Sequence, residues 1–295
     1  MVKDNRGNMM TWRVAVLGVG LMGGAMVERL AAMGVSVIAY NRTAAKLETL
    51  RQKQIPVTDN VAEAVDKADA VILTLSDSEA IRQVILNSSV NLHNKTVIQM
   101  GTISPAESQQ LATQIQAAGG DYLEAPVLGS TPEAKNGTLL VMVGATPTQF
   151  NQWQPLLRFF GENPIFVGEV GKAAALKLAL NQMIAGLTAT FALSLSYIQY
   201  QQVDVDVFMT ILRQSALYAP TFDKKLNRMC QRNFANPNFP TKHLLKDIRL
   251  FLSSCENLPV DTTILQAVEA VVQKTVEAGE GDNDYSAIIN TISGS

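Results

Sequence analysis

The sequence contains few of the residues that build disulfide-stapled or metal-dependent proteins. Its 295 residues include two cysteines, Cys230 and Cys255, and two histidines, His93 and His243. Two cysteines cannot form a disulfide framework, and no CxxC or clustered Cys/His spacing predicts a metal site. We therefore expect no metal ion, and a reducing, cytoplasmic compartment.

Strong charge of either sign and long apolar runs are also missing. Lysine and arginine number 24 against 26 aspartates and glutamates, which leaves a formal net charge of −2. This balance gives no electrostatic reason to expect a nucleic acid or an anionic membrane as partner. The most apolar segment, residues 183–198, is shorter than the about 20 residues of a membrane span, so we predict a buried helix there. Residues 1–11 are polar and lack a secretory apolar run, so we expect a disordered lead-in.

The first half of the chain alternates strand-like and helix-like segments. The strand-like segments are WRVAVLG, VSVIAYN, DAVILTLS, KTVIQMG, GDYLEAP and GTLLVMVG. Amphipathic segments with apolar spacing near 3.6 separate most of them, which predicts a doubly wound parallel sheet over residues 12–168. Strand-like runs stop near residue 168, so we predict that residues 169–295 form an all-α domain for substrate binding and oligomerisation, joined through a long interdomain helix.

The strongest local motif is GVGLMGGAM, residues 18–26, directly after the first predicted strand. Gly18, Gly20 and Gly23 have the G-x-G-x-x-G spacing in which a tight turn brings backbone close to a pyrophosphate at a helix N-terminus. Leu21 and Met22 lie between the last two glycines. The position between a strand and a helix predicts a Rossmann-type dinucleotide site, and the alternative is a tight turn without a ligand.

The end of the second predicted strand indicates which dinucleotide binds. Asn41 stands where an NAD-specific site usually has an acidic residue for the ribose hydroxyls. Arg42 offers a forked donor to a 2′-phosphate, Thr43 offers a hydroxyl, and Lys46 offers a second positive charge. This pattern predicts NADPH as the cofactor. The alternative is a solvated strand end with a helix N-cap at Thr43.

The helix-like stretch VGKAAALKLALN places Lys177 among alanines and leucines, with Asn181 four residues later. A separation of i,i+4 sets both side chains on one helix face, about 5–6 Å apart. One interpretation is a lysine whose stem packs on apolar neighbours while its ammonium reaches water. The other is a proton donor for the oxygen that becomes an alcohol when a nicotinamide cofactor reduces a carbonyl.

The two histidines are the usual candidates for such a proton donor. His93 lies in the polar turn NLHNK, which favours a surface position. His243 lies in FPTKHLLKD, residues 239–247, where the spacing alone favours solvated i,i+4 pairs of His243 with Asp247 and of Lys242 with Lys246.

Four segments, taken together and in order, resemble the β-hydroxyacid dehydrogenase family from Trp12 to about Ile292. GVGLMGGAM is similar to the family's cofactor fingerprint and LEAPVLGS to its substrate loop, while VGEVGKAAALKLALN is similar to its catalytic helix and FPTKHLLKD to its C-terminal cofactor and substrate contact. The resemblance implies that Lys177 is the catalytic lysine and that Asn181 is its neighbour at the active site.

The NRT step and the FxxKHxxKD run resemble more particularly the NADPH-dependent glyoxylate and succinic semialdehyde reductases of this family. That likeness implies reduction of a small aldehyde or keto acid to the hydroxy acid, with Lys177 as proton donor. It also implies further cofactor contacts at Leu75, Ser76, Thr102 and Lys246, and substrate contacts at Phe239 and Asp247.

The predicted substrate loop departs from the family pattern at one position. Leu128, followed by Gly129 and Ser130, stands where these enzymes usually present a serine to the substrate carboxylate. A leucine removes a charge-assisted contact worth about 1.5–3 kcal/mol, although loop N–H groups with Ser130 or Thr131 remain as candidate donors. A less polar carbonyl substrate, or an imine as in the similar imine reductases, therefore remains an alternative.

The sequence also allows two interpretations of another kind, a dinucleotide-binding regulator without catalysis and a protein whose helices serve oligomerisation. Leu128 is compatible with a dinucleotide-binding regulator that has lost catalysis, although such a protein has no need of a proton donor at Lys177. The long apolar segment 172–200 has apolar residues on several faces, which is typical of a helix that packs against a partner subunit. We therefore expect a homodimer or a homotetramer.

Overall fold

The computed structural model describes residues 12–88 and 90–294. The predicted lead-in at residues 1–11 lies outside the described residues. The chain divides into two compact units, and the division falls between Lys177 and Leu178.

The first unit is built on a mixed sheet. Its strands are β1 (Arg13–Leu17), β2 (Ser36–Tyr40), β3 (Val57–Thr58), β4 (Ala70–Leu73), β5 (Thr96–Gln99), β6 (Asp121–Glu124), β7 (Val127–Leu128), β8 (Leu140–Gly144) and β9 (Ile165–Gly168). In the described part of the chain the strand order is β3-β2-β1-β4-β5-β6-β8-β7, with β9 paired to β8. The pairs from β3 to β6 are all parallel, which confirms the doubly wound sheet.

The helices follow the strands in the first unit and replace them in the second. They are α1 (Leu21–Ala32), α2 (Glu48–Gln52), α3 (Val61–Asp66), α4 (Ser78–Ile81), α5 (Pro105–Ala117), α6 (Thr131–Asn136), α7 (Pro147–Leu157), α8 (Lys172–Tyr200), α9 (Val205–Gln214), α10 (Pro220–Gln231), α11 (Thr241–Cys255), α12 (Thr263–Thr275) and α13 (Ile288–Ser293). Short 3₁₀ turns cover Ala44–Leu47 and Tyr285–Ala287, and π-helical turns cover Arg82–Leu86 and Val276–Glu280.

The central strands of the first unit are buried on both faces. Val14 and Val16 of β1 pack in one core with α1 and α7, whereas Ala15 and Leu17 pack in the other with α3 and α5. Successive strand residues point to opposite faces, so such a strand needs apolar residues at every position rather than alternation. This explains the continuous apolar runs in the sequence.

The last strands of the sheet are not parallel to β6. β8 runs antiparallel to both β6 and β7, and it pairs with β9 in parallel. This arrangement brings Gly144 of β8 opposite Glu124 of β6. The apolar density that predicts a strand carries no information about its direction, so the sequence did not indicate this reversal.

The second unit is helical, as expected for the chain after residue 168. Its core includes Leu195 of α8, Met209 of α9 and Val272 of α12, each fully buried. A buried ion pair joins α10 to the 3₁₀ turn near the C-terminus, because Lys225 Nζ lies 2.8 Å from Asp284 Oδ1.

Helix α8 is 29 residues long, and among the described residues it is the one helix long and apolar enough to cross a membrane by those two criteria. Core helices of soluble proteins satisfy the same criteria. Phe191 and Leu195 are buried in the second unit, whereas Leu193 and Tyr197 are 61% and 64% exposed. The predicted buried helix at residues 183–198 is therefore buried along one side only.

Candidate functional site

The glycine fingerprint forms the turn between β1 and α1. Gly18 has a φ of +106°, and a Cβ there would lie 2.9 Å from the carbonyl oxygen of Thr74. Gly23 lies in the first turn of α1, where a Cβ would lie 1.9 Å from the carbonyl oxygen of Gly18. Both positions require glycine, because the turn and the helix approach each other too closely for a side chain.

Gly20 has a different reason to be glycine. A Cβ at Gly20 would meet nothing within 4 Å. Gly20 is also the N-cap of α1, where no side chain caps the helix and no acidic residue lies in the first turn. Leu21 and Met22 begin the helix, and their N–H groups are among the four that lack intrahelical partners. The space beside Gly20 and the positive end of α1 therefore fit the pyrophosphate of a dinucleotide.

Two polar side chains brace this turn. Asn41 Oδ1 accepts a hydrogen bond of 3.0 Å from the N–H of Val19, and Asn41 Nδ2 donates one of 3.1 Å to the carbonyl oxygen of Thr43. Thr74, which sequence analysis missed, donates from its hydroxyl to the carbonyl oxygen of Gly18 at 2.6 Å. Asn41 thus stabilises the turn, at the position where an NAD-specific site usually has an acidic residue that hydrogen-bonds the ribose hydroxyls.

The predicted 2′-phosphate residues lie just beyond β2. Arg42, Thr43 and Lys46 are all exposed. Thr43 is the N-cap of the 3₁₀ turn Ala44–Leu47, but its side chain makes no capping hydrogen bond. The predicted donors therefore form a solvent-facing group at the carboxyl end of the strand next to β1.

The other predicted cofactor residues of this unit follow neighbouring strands. Leu75 and Ser76 lie two and three residues after the end of β4, and Thr102 lies three residues after the end of β5. Because β1, β2, β4 and β5 are parallel, their carboxyl ends share one sheet edge, where ligands of open α/β sheets bind. Gln99, at the end of β5, is 1% exposed, and its Nε2 has no hydrogen-bond partner among the described residues. The fold thus brings the predicted cofactor residues of the first unit to one edge.

The predicted substrate loop follows β6. Leu128 is half-buried, Gly129 has a φ of +131°, and Ser130 precedes α6. The N–H and the hydroxyl of Ser130 both donate to Glu133 Oε2, at 2.9 Å and 2.6 Å. The Ser130 side chain therefore serves the start of α6, and a carboxylate that sequence analysis missed lies at the loop.

Glu124, four residues before Leu128, is a second carboxylate that the motif analysis did not single out. It is 1% exposed at the end of β6. Its Oε1 accepts hydrogen bonds from the N–H groups of Gly171, Ala173 and Ala174, at the start of α8. Burial raises the pKa of Glu124, while hydrogen bonds from Ser108 and from these backbone groups act in the opposite direction.

The predicted catalytic lysine lies within α8, five residues after the helix begins at Lys172. Lys177 is half-buried, and Asn181 follows it one turn later on the same continuous helix. The predicted i,i+4 placement on a helix is therefore what the structure shows.

Asn181 belongs to a buried polar pair in the second unit. It is 3% exposed, and its Nδ2 donates a hydrogen bond of 2.6 Å to Asp247 Oδ2 on α11. Within the described chain, Asn181 Oδ1 and Asp247 Oδ1 accept no hydrogen bond, although Lys246 Nζ lies 3.0 Å from Asp247 Oδ1 as an ion pair. A buried acceptor without a donor is costly, so Asn181 Oδ1 is suited to receive a donor from a ligand or another group.

Two aromatic rings lie near this pair, one in the first turn of α11 and one just before that helix begins. Phe239 stacks on His243, with ring centroids 6.5 Å apart and an interplanar angle of 13°. Burial, with the charges of Lys246 and Lys242, lowers the pKa of His243. His243 is thus half-buried beside two predicted ligand contacts, and the predicted solvated pair with Asp247 is replaced by the pair that Asp247 makes with Asn181. His93 is exposed, which confirms its predicted surface position.

Over residues 12–88 and 90–294, no group of three or more His, Cys, Asp or Glu side chains is arranged to hold a metal ion. The two cysteines are free, Cys230 exposed and Cys255 buried.

Comparison with known proteins covers both units. Residues 13–168 match the family described as the NAD binding domain of 6-phosphogluconate dehydrogenase. Residues 171–292 match the family described as NAD-binding of NADP-dependent 3-hydroxyisobutyrate dehydrogenase. Among curated relatives, the chain is 29% identical over 283 residues to glyoxylate/succinic semialdehyde reductase 1 of Arabidopsis thaliana, covering 95% of this chain and 98% of that protein.

Another relative is much longer than this chain. Cytokine-like nuclear factor N-PAC of Xenopus tropicalis is 29% identical over 280 residues, which are 94% of this chain but 52% of that protein. The chain therefore spans about half the length of this relative.

Solved structures show the same fold at lower identity. The 3-hydroxyisobutyrate dehydrogenase of Salmonella typhimurium has a TM-score of 0.84 at 21% identity, covering 95% of this chain and 99% of that one. An imine reductase from Myxococcus stipitatus in complex with NADP⁺ has a TM-score of 0.66 at 23% identity, covering 95% and 99%. With a matched cofactor domain over half of its length and a matched helical domain after it, the chain belongs to the β-hydroxyacid dehydrogenase family of NAD(P)-dependent oxidoreductases.

Proposed function

We propose that this chain catalyses the NADPH-dependent reduction of a small aldehyde or keto acid, of the glyoxylate or succinic semialdehyde type, to the hydroxy acid. The observation that carries the proposal is the polar pair on α8, with Lys177 half-buried and Asn181 buried one turn later. Two relatives at 28% and 29% identity are reductases named for glyoxylate and succinic semialdehyde.

In this proposal, the bound NADPH supplies the hydride that reduces the carbonyl carbon. The ammonium of Lys177 stabilises the negative charge that develops on the carbonyl oxygen and gives that oxygen a proton. Asp247 fixes the amide of Asn181 by accepting from its Nδ2, which leaves Asn181 Oδ1 available as an acceptor. In the proposed reaction, this oxygen accepts from the Lys177 ammonium and orients it. The resemblance to the family assigns Phe239 and Asp247 to substrate binding and Lys246 to cofactor binding.

The preference for NADPH over NADH rests on the exposed group at the end of β2. Arg42, Thr43 and Lys46 are exposed there and supply donors and positive charge that suit a 2′-phosphate, and Asn41 brings no carboxylate to repel it. The pyrophosphate is assigned to the space beside Gly20 and the start of α1.

The test measures steady-state NADPH oxidation with glyoxylate, with succinic semialdehyde and with butanal. Butanal matches succinic semialdehyde in chain length but lacks its carboxylate. We expect turnover on at least one of the acids to exceed turnover on butanal, with the hydroxy acid as product. Faster turnover on butanal would contradict the assignment of an acid substrate.

Two alternatives follow from the substrate loop. The side chain of Leu128 offers no hydrogen-bond donor, and the N–H and hydroxyl of Ser130 both donate to Glu133, so the loop also suits a less polar carbonyl or an imine. NADPH binding without reduction of any of these compounds would favour the second alternative, a non-catalytic dinucleotide-binding regulator.

We also propose that the protein is a homodimer or homotetramer that works in the cytoplasm, with no nucleic acid or membrane partner. On α8, Leu193, Tyr197 and Tyr200 are 61%, 64% and 71% exposed at i, i+4 and i+7, so they form one apolar stripe. Burial of such a stripe against a second copy is typical of homo-oligomers. Sedimentation velocity would test this, and a monomer at micromolar concentration would contradict it.

A further inference from the structure

The start of α8 is held by one buried carboxylate. Glu124 Oε1 accepts hydrogen bonds of 2.8 Å from the N–H of Gly171, 2.8 Å from that of Ala173 and 3.1 Å from that of Ala174. An α-helix leaves its first N–H groups without intrahelical partners, and here a side chain from the end of β6 supplies the acceptor. Glu124 thus fixes where α8 begins, although it lies 47 residues earlier than Gly171.

The surroundings of Glu124 are shaped to admit this carboxylate. Gly144 stands opposite it on β8, and a Cβ at Gly144 would lie 2.3 Å from Glu124 Oε1. The other carboxylate oxygen accepts a hydrogen bond from Ser108, whose hydroxyl lies 2.8 Å from that of Tyr122. Both oxygens of the Glu124 carboxylate therefore accept hydrogen bonds, and the absence of a side chain at Gly144 leaves room for the carboxylate.

The charge of this carboxylate acts on the helix that carries the proposed proton donor. The N-terminus of an α-helix has the character of about half a positive charge, which stabilises anions and disfavours cations nearby. Burial raises the pKa of Glu124, and the hydrogen bonds from Ser108 and from three backbone N–H groups oppose that rise by favouring the ionised carboxylate. Lys177 lies four residues after Ala173, about 6 Å further along the helix axis. Without Glu124, the positive end of α8 would lie about one turn from Lys177 with no carboxylate to offset it.

We propose that Glu124 is a positioning residue for Lys177, because its carboxylate fixes the start of α8 and offsets the positive end of that helix, which keeps Lys177 protonated at the pH of the reaction. This inference rests on the proposed role of Lys177 as proton donor. Glu124 itself takes no part in the proton transfer.

The first test compares pH–rate profiles of the wild type and Glu124→Gln. The amide oxygen of Gln can still accept the three N–H bonds, so the substitution chiefly removes the charge. Reduction needs the ammonium form of Lys177, so the rate falls as pH rises through its pKa. With charges about 10 Å apart and an effective dielectric constant of about 20, the lost interaction is about 1.7 kcal/mol, so we expect this fall to occur about 1 pH unit lower in Glu124→Gln. The KM for NADPH should not change.

A second readout needs no turnover. Acetic anhydride labels the neutral amine, so the labelling rate of each lysine across pH, read by peptide mass spectrometry, follows its pKa. Lys177 should show the same downward shift in Glu124→Gln, while the exposed Lys274 serves as an internal reference. If the wild type reduces none of the tested acids, the proposed function fails, but the labelling result still decides whether Glu124 acts on Lys177.

Thr146→Ala is the matched control. Thr146 caps α7 in the same unit by accepting from the N–H of Gln149, so its loss weakens a helix start that bears no proposed catalytic residue. It should lower stability and leave the pKa of Lys177 unchanged.

If Glu124→Gln does not fold, Glu124→Asp tests whether the Glu124 charge affects the pKa of Lys177. Asp keeps the charge but withdraws it from the helix by one methylene, about 1.5 Å, so the pKa of Lys177 should fall by a smaller amount, about 0.2 unit. The proposal would be overturned if the pKa of Lys177 were unchanged in the Glu124 variant that folds. It would also be overturned if Thr146→Ala shifted the pKa of Lys177 as much as that variant does.

Discussion

The three glycines of the fingerprint differ in what surrounds them, and this difference makes a prediction about alanine substitutions. An alanine at Gly23 would place its Cβ 1.9 Å from the carbonyl oxygen of Gly18 and 2.4 Å from Thr74 Oγ. An alanine at Gly20 would meet no protein atom within 4 Å. Gly23→Ala should therefore damage the fold, and Gly20→Ala should damage only the binding of a ligand in the open space.

The magnitudes follow from these distances. Gly23→Ala forces backbone to shift in a packed turn, so we expect a loss of about 1–3 kcal/mol in the free energy of unfolding. At Gly20 the poorer N-cap and the reduced freedom of the unfolded chain nearly cancel, so the change should stay within about 0.5 kcal/mol. A methyl group at Gly20 would hold the pyrophosphate away from the N–H groups of α1, which should weaken NADPH binding at least tenfold, about 1.4 kcal/mol.

The assay combines urea unfolding with calorimetric titration of NADPH for the wild type and both variants. Gly20→Ala should unfold like the wild type and bind NADPH at least about tenfold more weakly. Wild-type NADPH affinity in a folded Gly20→Ala protein would refute the assignment of this turn as the pyrophosphate site. Wild-type stability of Gly23→Ala would refute the steric argument.

Three further predictions address the cofactor, the substrate and the effect of pH. Arg42→Ala should raise the Kd of NADPH about tenfold and leave that of NADH unchanged, and an equal loss for both would exclude a 2′-phosphate contact. Leu128→Ser should lower the KM for glyoxylate about 10- to 100-fold, whereas an unchanged KM would show that this position does not face the carboxylate. His243 has a lowered pKa, so the unfolded chain binds more protons, and stability is lost as pH falls through the unfolded value near 6.5. His243→Gln should lose less unfolding free energy than the wild type between neutral pH and about pH 5, and an equal loss would contradict the lowered pKa.

Much of the fold could be predicted because it depends on local patterns. Apolar runs gave the buried strands, and the spacing of Gly18, Gly20 and Gly23 between a strand and a helix gave the turn. The antiparallel direction of β8 could not be predicted, since strand propensity is the same in both directions. The short elements β3 and α3 were also missed, because two to six residues carry too little periodicity to stand out.

The placement of the candidate site residues could be predicted where it depends on residue type and spacing, and not where it depends on a partner far away in the sequence. Lys177 and Asn181 are separated by one helical turn, so their shared helix face follows from the sequence. The partner of Asn181, Asp247, lies 66 residues away, and Glu124 meets the start of α8 after 47 residues. Such pairings depend on tertiary packing, although a lone carboxylate at the end of an apolar strand, as at Glu124, is a sequence signal for a buried hydrogen-bond partner.

The central claim is that Lys177 is the proton donor, and Lys172 offers a matched control. Lys172 is exposed at the first position of the same helix, so Lys172→Ala removes an equal charge without touching the half-buried face. The most direct measurement is kcat for NADPH-dependent reduction of glyoxylate or succinic semialdehyde in the wild type, Lys177→Ala and Lys172→Ala, with the Kd of NADPH measured in parallel. We predict that kcat falls about 10²–10⁴-fold in Lys177→Ala alone, with NADPH affinity nearly unchanged. A kcat that is the same in Lys177→Ala as in Lys172→Ala would contradict the account.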